Sequence, residues 1–232
     1  MPKSSTSTRI SKGDQKRRGT TRKPKSKKPA LSQKLLTDGV EGQISSPPVY
    51  FWKPHEDWGF LGQWYIAPMT DRETGVQFNC CEQYMMYHKA VTFKDQELEL
   101  RIMDETDPRM LKALGRKISG FTEDKWNEVK FDIVVRANMM KFTQAQALQE
   151  DEFVKSIAEH AEGQEPPSLR SLLLATGDRE IVEASSRDRI WGIGFAAKQA
   201  EKQPRSKCGK NLLGKALMEV RKRLREEEQS KI

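Results

Sequence analysis

Cys80-Cys81-Glu82-Gln83-Tyr84-Met85-Met86-Tyr87-His88-Lys89-Ala90 is the stretch from which the rest of the chain is read. It contains neither Gly nor Pro, is rich in good helix formers and follows a turn signal at Thr74-Gly75, so it is expected to be helical. In a helix, Glu82, Met86 and Lys89 fall at i, i+4 and i+7 on one face. Glu82 and Lys89 are then roughly 10 Å apart along the axis. That spacing fits a small-molecule pocket with an acid or base at one end and an amine at the other. Charges so spaced more often point into water, so the surroundings of this helix decide its meaning.

Upstream, the chain changes character. The 232 residues carry a net charge of +8. Within Met1–Ala30, eleven Lys/Arg stand against the single Asp14, so this segment holds +10 and the remainder nets −2. A stretch rich in Ser, Thr, Lys and Pro cannot bury a core and is expected to be disordered. Lys16-Arg17-Arg18 followed by Lys23-Pro24-Lys25-Ser26-Lys27-Lys28 resembles a bipartite nuclear localisation signal. Nonspecific contact with nucleic acid is the other reading of the same charge. A mitochondrial presequence also lacks acids, but here Lys, Pro and Gly crowd out an amphipathic helix. With a mean hydropathy of −0.78, no run reaches the length of a membrane helix, and no apolar secretion segment is seen. The expectation is an intracellular protein, nuclear through its tail or otherwise cytoplasmic, with no membrane partner. Three cysteines make no disulfide framework. Neither they nor His55, His88 and His160 show zinc-ligand spacing, so no metal and no cofactor are expected.

Residues 1–48 therefore read as basic tail and linker, and residues 49–228 as one domain. Tyr50, Phe51, Trp52, Trp58, Phe60, Trp64 and Tyr65 open it with a run of aromatics. Gly62–Ala67 and Val76–Asn79 suggest a short hairpin across Asp71–Gly75. Asp107-Pro108 starts a helix and Gly115 ends it. Another begins near Thr122, with an apolar stripe of Trp126, Val129, Ile133, Ala137 and Met140. Gln149–Ala161 is helical and acidic. Leu169–Ala175 is a short apolar helix ending at Gly177, Glu180–Ala184 is strand or helix, and Ser185–Gly194 is a loop. Ala196–Lys207 is polar and exposed. Asn211 is placed as N-cap of a last helix with Leu213, Leu217, Val220 and Leu224 on its apolar face. The fold class is mainly α with a few short strands.

No standard catalytic signature fits. Gly192-Ile193-Gly194 lacks the third glycine and the strand–helix setting of a dinucleotide site. What remains is a set of polar and aromatic groups on loops and helix ends: Glu82, Lys89, Trp126, Lys141, Asp178, Asp188, Trp191, Asn211 and Lys215. Indoles beside acids and amines suit a planar heterocycle on a sugar phosphate, although Trp126 and Trp191 by themselves suit a core better than a base platform.

Glu82-Gln83-Tyr84-Met85-Met86-x-x-Lys89-Ala90, Trp126, Lys141-Phe142, Leu173–Asp178, Asp188–Gly194 and Asn211–Met218 together resemble the NADAR family, the YbiA-like group of N-glycosidases. The pieces occur in the family's order from about Tyr50 to Arg225. The resemblance implies a compact, mainly helical domain that cleaves ribose C1′ from an exocyclic amine. The substrate would be a ribosylaminopyrimidine intermediate of riboflavin synthesis or ADP-ribosyl-guanine in nucleic acid. It further implies Glu82, Lys89 and Asp188 as catalytic residues and Trp126, Lys141, Trp191, Asn211 and Lys215 as substrate-binding residues. The nucleophile at C1′ is either water or a lysine that forms a Schiff base. Two departures stand out: Gln63 stands where many members carry an Asn, and Ala145 replaces a common Asn ahead of an acidic insert over residues 149–167. The alternatives are a non-catalytic module binding ADP-ribose or a nucleotide, and an interaction protein acting through the tail and insert.

Overall fold

The structure, a computed structural model, describes residues 46–146, 151–158 and 167–231. The basic segment Met1–Ala30, its nuclear-signal motif, His160 and both ends of the acidic stretch Gln149–Ala161 lie outside the described residues.

Helix α1 (Cys81–Phe93) is the centre of the described fold, packed against α2 (Gln96–Asp104), α3 (Pro108–Gly115) and α4 (Glu123–Gln144). With neighbours on several sides, every residue from Cys81 to Met86 is buried, Glu82 and Gln83 included. The helix is therefore covered around its first turns rather than along one stripe. It stops at Lys94, which adopts the left-handed conformation (φ 59°). Asp95 then opens α2, a helix not anticipated from the sequence because only Leu98 and Ile102 mark its buried side. The Asp95 carboxylate accepts from Leu98 N–H and, through its other oxygen, from Ser119 N–H and Oγ–H. It thus binds the start of α2 to the loop after α3. Asp107 caps α3 with Pro108 in the first turn, as expected. Gly115 ends α3 against α1: a Cβ there would lie 2.0 Å from Met86 Sδ.

The stripe on α4 is as periodicity requires, with Trp126, Ile133 and Ala137 buried and Val129 and Met140 half-buried. This helix also packs on α6 (Leu169–Leu174) and α8 (Leu212–Gln229). Leu213, Leu217, Val220 and Leu224 of α8 are buried. Between α4 and α6 lies α5 (Glu152–Ala158), whose Phe153 ring meets Trp58 and Phe60. The polar stretch 196–207 includes α7 (Ala197–Ala200), which buries Ala200.

Two small sheets complete the fold. β1 (Val49–Phe51) and β4 (Ile181–Glu183) are parallel, with Phe51 opposite Glu183, so the 180–184 segment is strand. β2 (Met69–Thr70) and β3 (Gln77–Phe78) are antiparallel. The hairpin is shorter and later than Gly62–Ala67 with Val76–Asn79. Ala67 N–H still bonds Asn79 carbonyl, but Pro68 has no N–H to continue the ladder, while residues 59–65 coil through a 3₁₀ turn. A second correction concerns Asn211. It directly precedes α8 but is left-handed (φ 50°) and gives that helix no side-chain cap. Its amide reaches β4 instead. The described architecture is mainly α with short strands.

Candidate active site

Glu82 sits in the first turn of α1 and is only 6% exposed. Its backbone N–H donates to Gln63 carbonyl at 3.1 Å, and its carboxylate is hydrogen-bonded by the side chain of the adjacent Trp64. Gln63 is in turn held by Asn138 of α4, whose Nδ2 donates to Gln63 Oε1 at 3.0 Å. The position that departs from the family's Asn therefore carries the loop against which Glu82 rests. Burial pushes the Glu82 carboxyl up to about 7, with Asp188 adding to the rise; Lys112, the Trp64 bond and Lys89 oppose it. A carboxyl so placed exchanges a proton near neutral pH.

Lys89 lies on the same helix. Met86, between the two charges in sequence, packs against Gly115, and Lys89 Nζ donates to the Gly115 carbonyl at 2.6 Å. The ammonium also lies 4.1 Å from the Phe121 ring centroid and 5.8 Å from that of buried Trp126. Burial lowers the Lys89 pKa, and the Glu82 charge partly restores it. Glu82 and Lys89 therefore interact electrostatically, with Lys89 resting on aromatic faces at the end of α3.

The loop after β4 brings a further charge to bear on Glu82. Asp188 Oδ1 accepts from both Ile190 N–H (2.9 Å) and Trp191 N–H (2.8 Å), which fixes the loop and half-buries Trp191. The Asp188 charge bears on Glu82, on Glu183 and on Lys130 of α4. Asn211 holds β4: its Nδ2 donates to Ile181 carbonyl at 2.9 Å and its Oδ1 accepts from Glu183 N–H at 3.1 Å.

The remaining two candidates are placed differently. Lys141 is fully buried and donates to Gly62 carbonyl at 2.8 Å. Its ammonium lies near the rings of Tyr65 and Phe142, and burial lowers its pKa. It supports the backbone that leads to Gln63 and Trp64. Lys215 is exposed on the first turn of α8. Asp178, at the end of the Leu173–Asp178 motif, pairs with Arg225 at 2.6 Å. Cys80 and Cys81 are buried, their thiols pushed up to about 11 and about 12 chiefly by burial, so neither supplies a thiolate near neutral pH.

Trp64, Lys112 and Glu183 belong to this site but do not stand out in the sequence. Glu183 is the clearest omission. Its carboxyl is pushed up to about 8, first by burial and then by Asp188 and Glu82, with Lys112 opposing the rise. A Glu in the last position of a short strand looked ordinary; the signal available was its closeness in sequence to the Asp188 loop. The structure brings Glu82, Lys89, Trp126, Asp188, Trp191 and Asn211 into one network of contacts and charge, joined by Trp64, Lys112 and Glu183.

The NADAR domain family matches residues 50–225. Among curated relatives, an N-glycosidase of Acanthamoeba polyphaga mimivirus is 38% identical over 165 residues, covering 69% of this chain and 85% of its own. The N-glycosidase YbiA of Escherichia coli is 28% identical over 176 residues, 76% of this chain and 88% of its own. The NMR structure of YbiA is similar with a TM-score of 0.56, at 25% identity, covering 81% of this chain and 92% of that one. A riboflavin biosynthesis protein of Vibrio vulnificus is 27% identical over 196 residues, which are 84% of this chain but 43% of that protein.

Proposed function

Since the chain belongs to the NADAR family and curated relatives are N-glycosidases, it is a hydrolase of N-glycosyl bonds, and we propose that the bond it cleaves joins ribose C1′ to an exocyclic amine of a nucleobase-like heterocycle. The observation that carries this reading is Glu82: a buried carboxyl, poised near neutral pH, bonded by an indole and faced by Asp188, Lys112 and Lys89. Cleavage at C1′ develops positive charge on the sugar. Asp188, with its geometry locked by two amides, offers a fixed negative charge to that centre. Ionised Glu82 takes the proton of an attacking water. Trp126 and Trp191 offer apolar faces for the heterocycle, and Lys130 and Lys215 supply charge for phosphate. Asn211 and Lys141 act by holding β4 and the Gly62–Trp64 turn.

Lys89, whose pKa is lowered by burial, is the second candidate nucleophile: its amine, once it has given up a proton, can add to C1′ as a Schiff base. Borohydride reduction during turnover separates the routes: a sugar adduct on Lys89, located by peptide mass spectrometry, establishes the covalent one. No adduct, together with an active Lys89→Arg enzyme, leaves water attack.

The substrate class is tested by incubating the full chain with ADP-ribosylated guanosine and, separately, with a ribosylaminopyrimidine, and following free sugar and free amine. Release from at least one is expected. Tight binding of these ligands with no sugar release from either would replace the enzyme with a binding module.

A further inference from the structure

β4 presents Ile181 and Glu183 to one face and Val182 to the other. Ile181 belongs to the main core with residues of α1, α4 and α8, whereas Val182 packs with Ile193 and Ala200 in a separate cluster. Glu183 is therefore carried on the side of the helices. Its backbone is held at both ends: N–H donates to Asn211 Oδ1 at 3.1 Å, and the carbonyl accepts from Ile193 N–H at 3.0 Å. Gly192 lies so close beneath it that a Cβ there would be 2.9 Å from the Glu183 carbonyl oxygen. Yet Glu183 Oε2 is out of solvent and has no hydrogen-bond partner among the described residues. A buried polar atom without a partner is costly, and native proteins keep few of them. The charged groups that bear on it are Asp188 on the adjacent loop, Lys112 on α3 and Glu82 on α1. A rigidly mounted carboxyl with an unsatisfied oxygen thus faces the same groups as the proposed hydrolytic site.

We propose that Glu183 is the proton donor to the departing amine. The assignment rests on the N-glycosidase reading and adds the acid that reading leaves out. As the C1′–N bond breaks, its electron pair stays on nitrogen, and nitrogen takes the proton from Glu183 Oε2. Water adds its oxygen to C1′ and gives its proton to the Glu82 carboxylate. Transfer of that proton from Glu82 back to Glu183 restores both groups, and the net reaction is hydrolysis. If Lys89 is the nucleophile, the departing amine still requires the same proton. Burial and the neighbouring carboxylates keep Glu183 protonated at neutral pH, its carboxyl being pushed up to about 8. The two carboxyls differ in their partners: Glu82 is hydrogen-bonded by the Trp64 side chain, whereas Glu183 Oε2 has no partner among the described residues and is left to give its proton to the substrate.

The test uses the full chain and Glu183→Gln with two substrates. One is the amine-linked riboside that the wild type cleaves; the other is 4-nitrophenyl riboside, whose phenolate leaves without a proton. Glu183→Gln should lose at least ~100-fold in kcat on the amine substrate and only a few-fold on the nitrophenyl riboside. The alkaline limb of its kcat/KM profile near pH 8 should vanish. Equal loss on both substrates, or full activity with an unchanged pH profile, overturns the proposal. If the variant does not fold, or the wild type leaves the nitrophenyl riboside intact, the remaining pH profiles decide. An alkaline limb near pH 8 must then appear in wild-type kcat/KM on the amine substrate, and its absence rejects Glu183 as the acid. A wild type that releases sugar from no amine substrate refutes the N-glycosidase reading itself, a result distinct from all of these.

Discussion

Glu82 brings an ionisable carboxyl into the core, and its behaviour with pH follows from that placement. Its carboxyl is raised from an ordinary 4.5 to about 7, first by burial. The folded state therefore holds the proton more tightly than the unfolded chain. The contribution of Glu82 to stability is greatest below about pH 4.5, falls as pH rises and levels off above about 7. The full cost of ionising Glu82 in place is on the order of 3 kcal/mol. Glu82→Gln removes that cost. Thermal unfolding should show the variant more stable than wild type at pH 8 and nearly equal at pH 4.5, while its turnover drops by about 10²-fold or more. A variant that keeps full turnover removes Glu82 from the chemistry. Asp188 is different, because its Oδ1 is a structural acceptor for two amides. Asp188→Asn preserves that oxygen and deletes only charge, so turnover should fall with little change in Tm. Asp188→Ala should lose both bonds and about 1–2 kcal/mol. If Asn costs as much stability as Ala, the charge itself holds the loop.

At the scale of elements, β4 is clamped to the start of α8. Asn211 supplies two hydrogen bonds to the strand, and Gly214 allows the helix to approach: a Cβ there would meet Ile181 carbonyl oxygen at 2.1 Å. The obstacle is backbone, so it cannot swing aside. Gly214→Ala should cost about 1–3 kcal/mol and reduce activity by displacing Glu183 and the Asp188 loop with β4. Urea denaturation and turnover measured together check this; a stable, fully active Gly214→Ala protein shows that the clamp does not position the site. Lys89 also works between elements. Its bond to Gly115 carbonyl ties α1 to the end of α3, so Lys89→Arg is a more faithful probe of chemistry than Lys89→Ala, which also leaves that carbonyl bare.

For the molecule as a whole, the family match begins at residue 50, while the positive charge is concentrated before Ala30. A chain beginning near Pro47 should keep its thermal transition and its turnover on small substrates. Its affinity for nucleic acid at low salt, or its nuclear enrichment, should fall. Loss of the transition would make the tail part of the fold. Among the described residues, no helix is long and apolar enough to cross a membrane.

By itself the sequence determined the features that depend on near neighbours: α1, the capped start of α3, the stripe on α4 and the buried face of α8. Helix periodicity and caps act over a few residues, so a local pattern is sufficient for them. The same locality explains the errors. Asn211 looked like a cap because the residue type fits, but tertiary contact sent its amide to β4. Glu82 and Lys89 lie seven residues apart on α1, and only packing showed that Met86 meets Gly115 and that Lys89 is engaged by the Gly115 carbonyl. Glu183 became visible as a site residue only when β4 paired with β1 and carried it towards α1. Its pKa, like that of Glu82, is set chiefly by exclusion of water and by charges distant along the chain. Those are properties of the packed interior, where a carboxyl becomes costly to ionise.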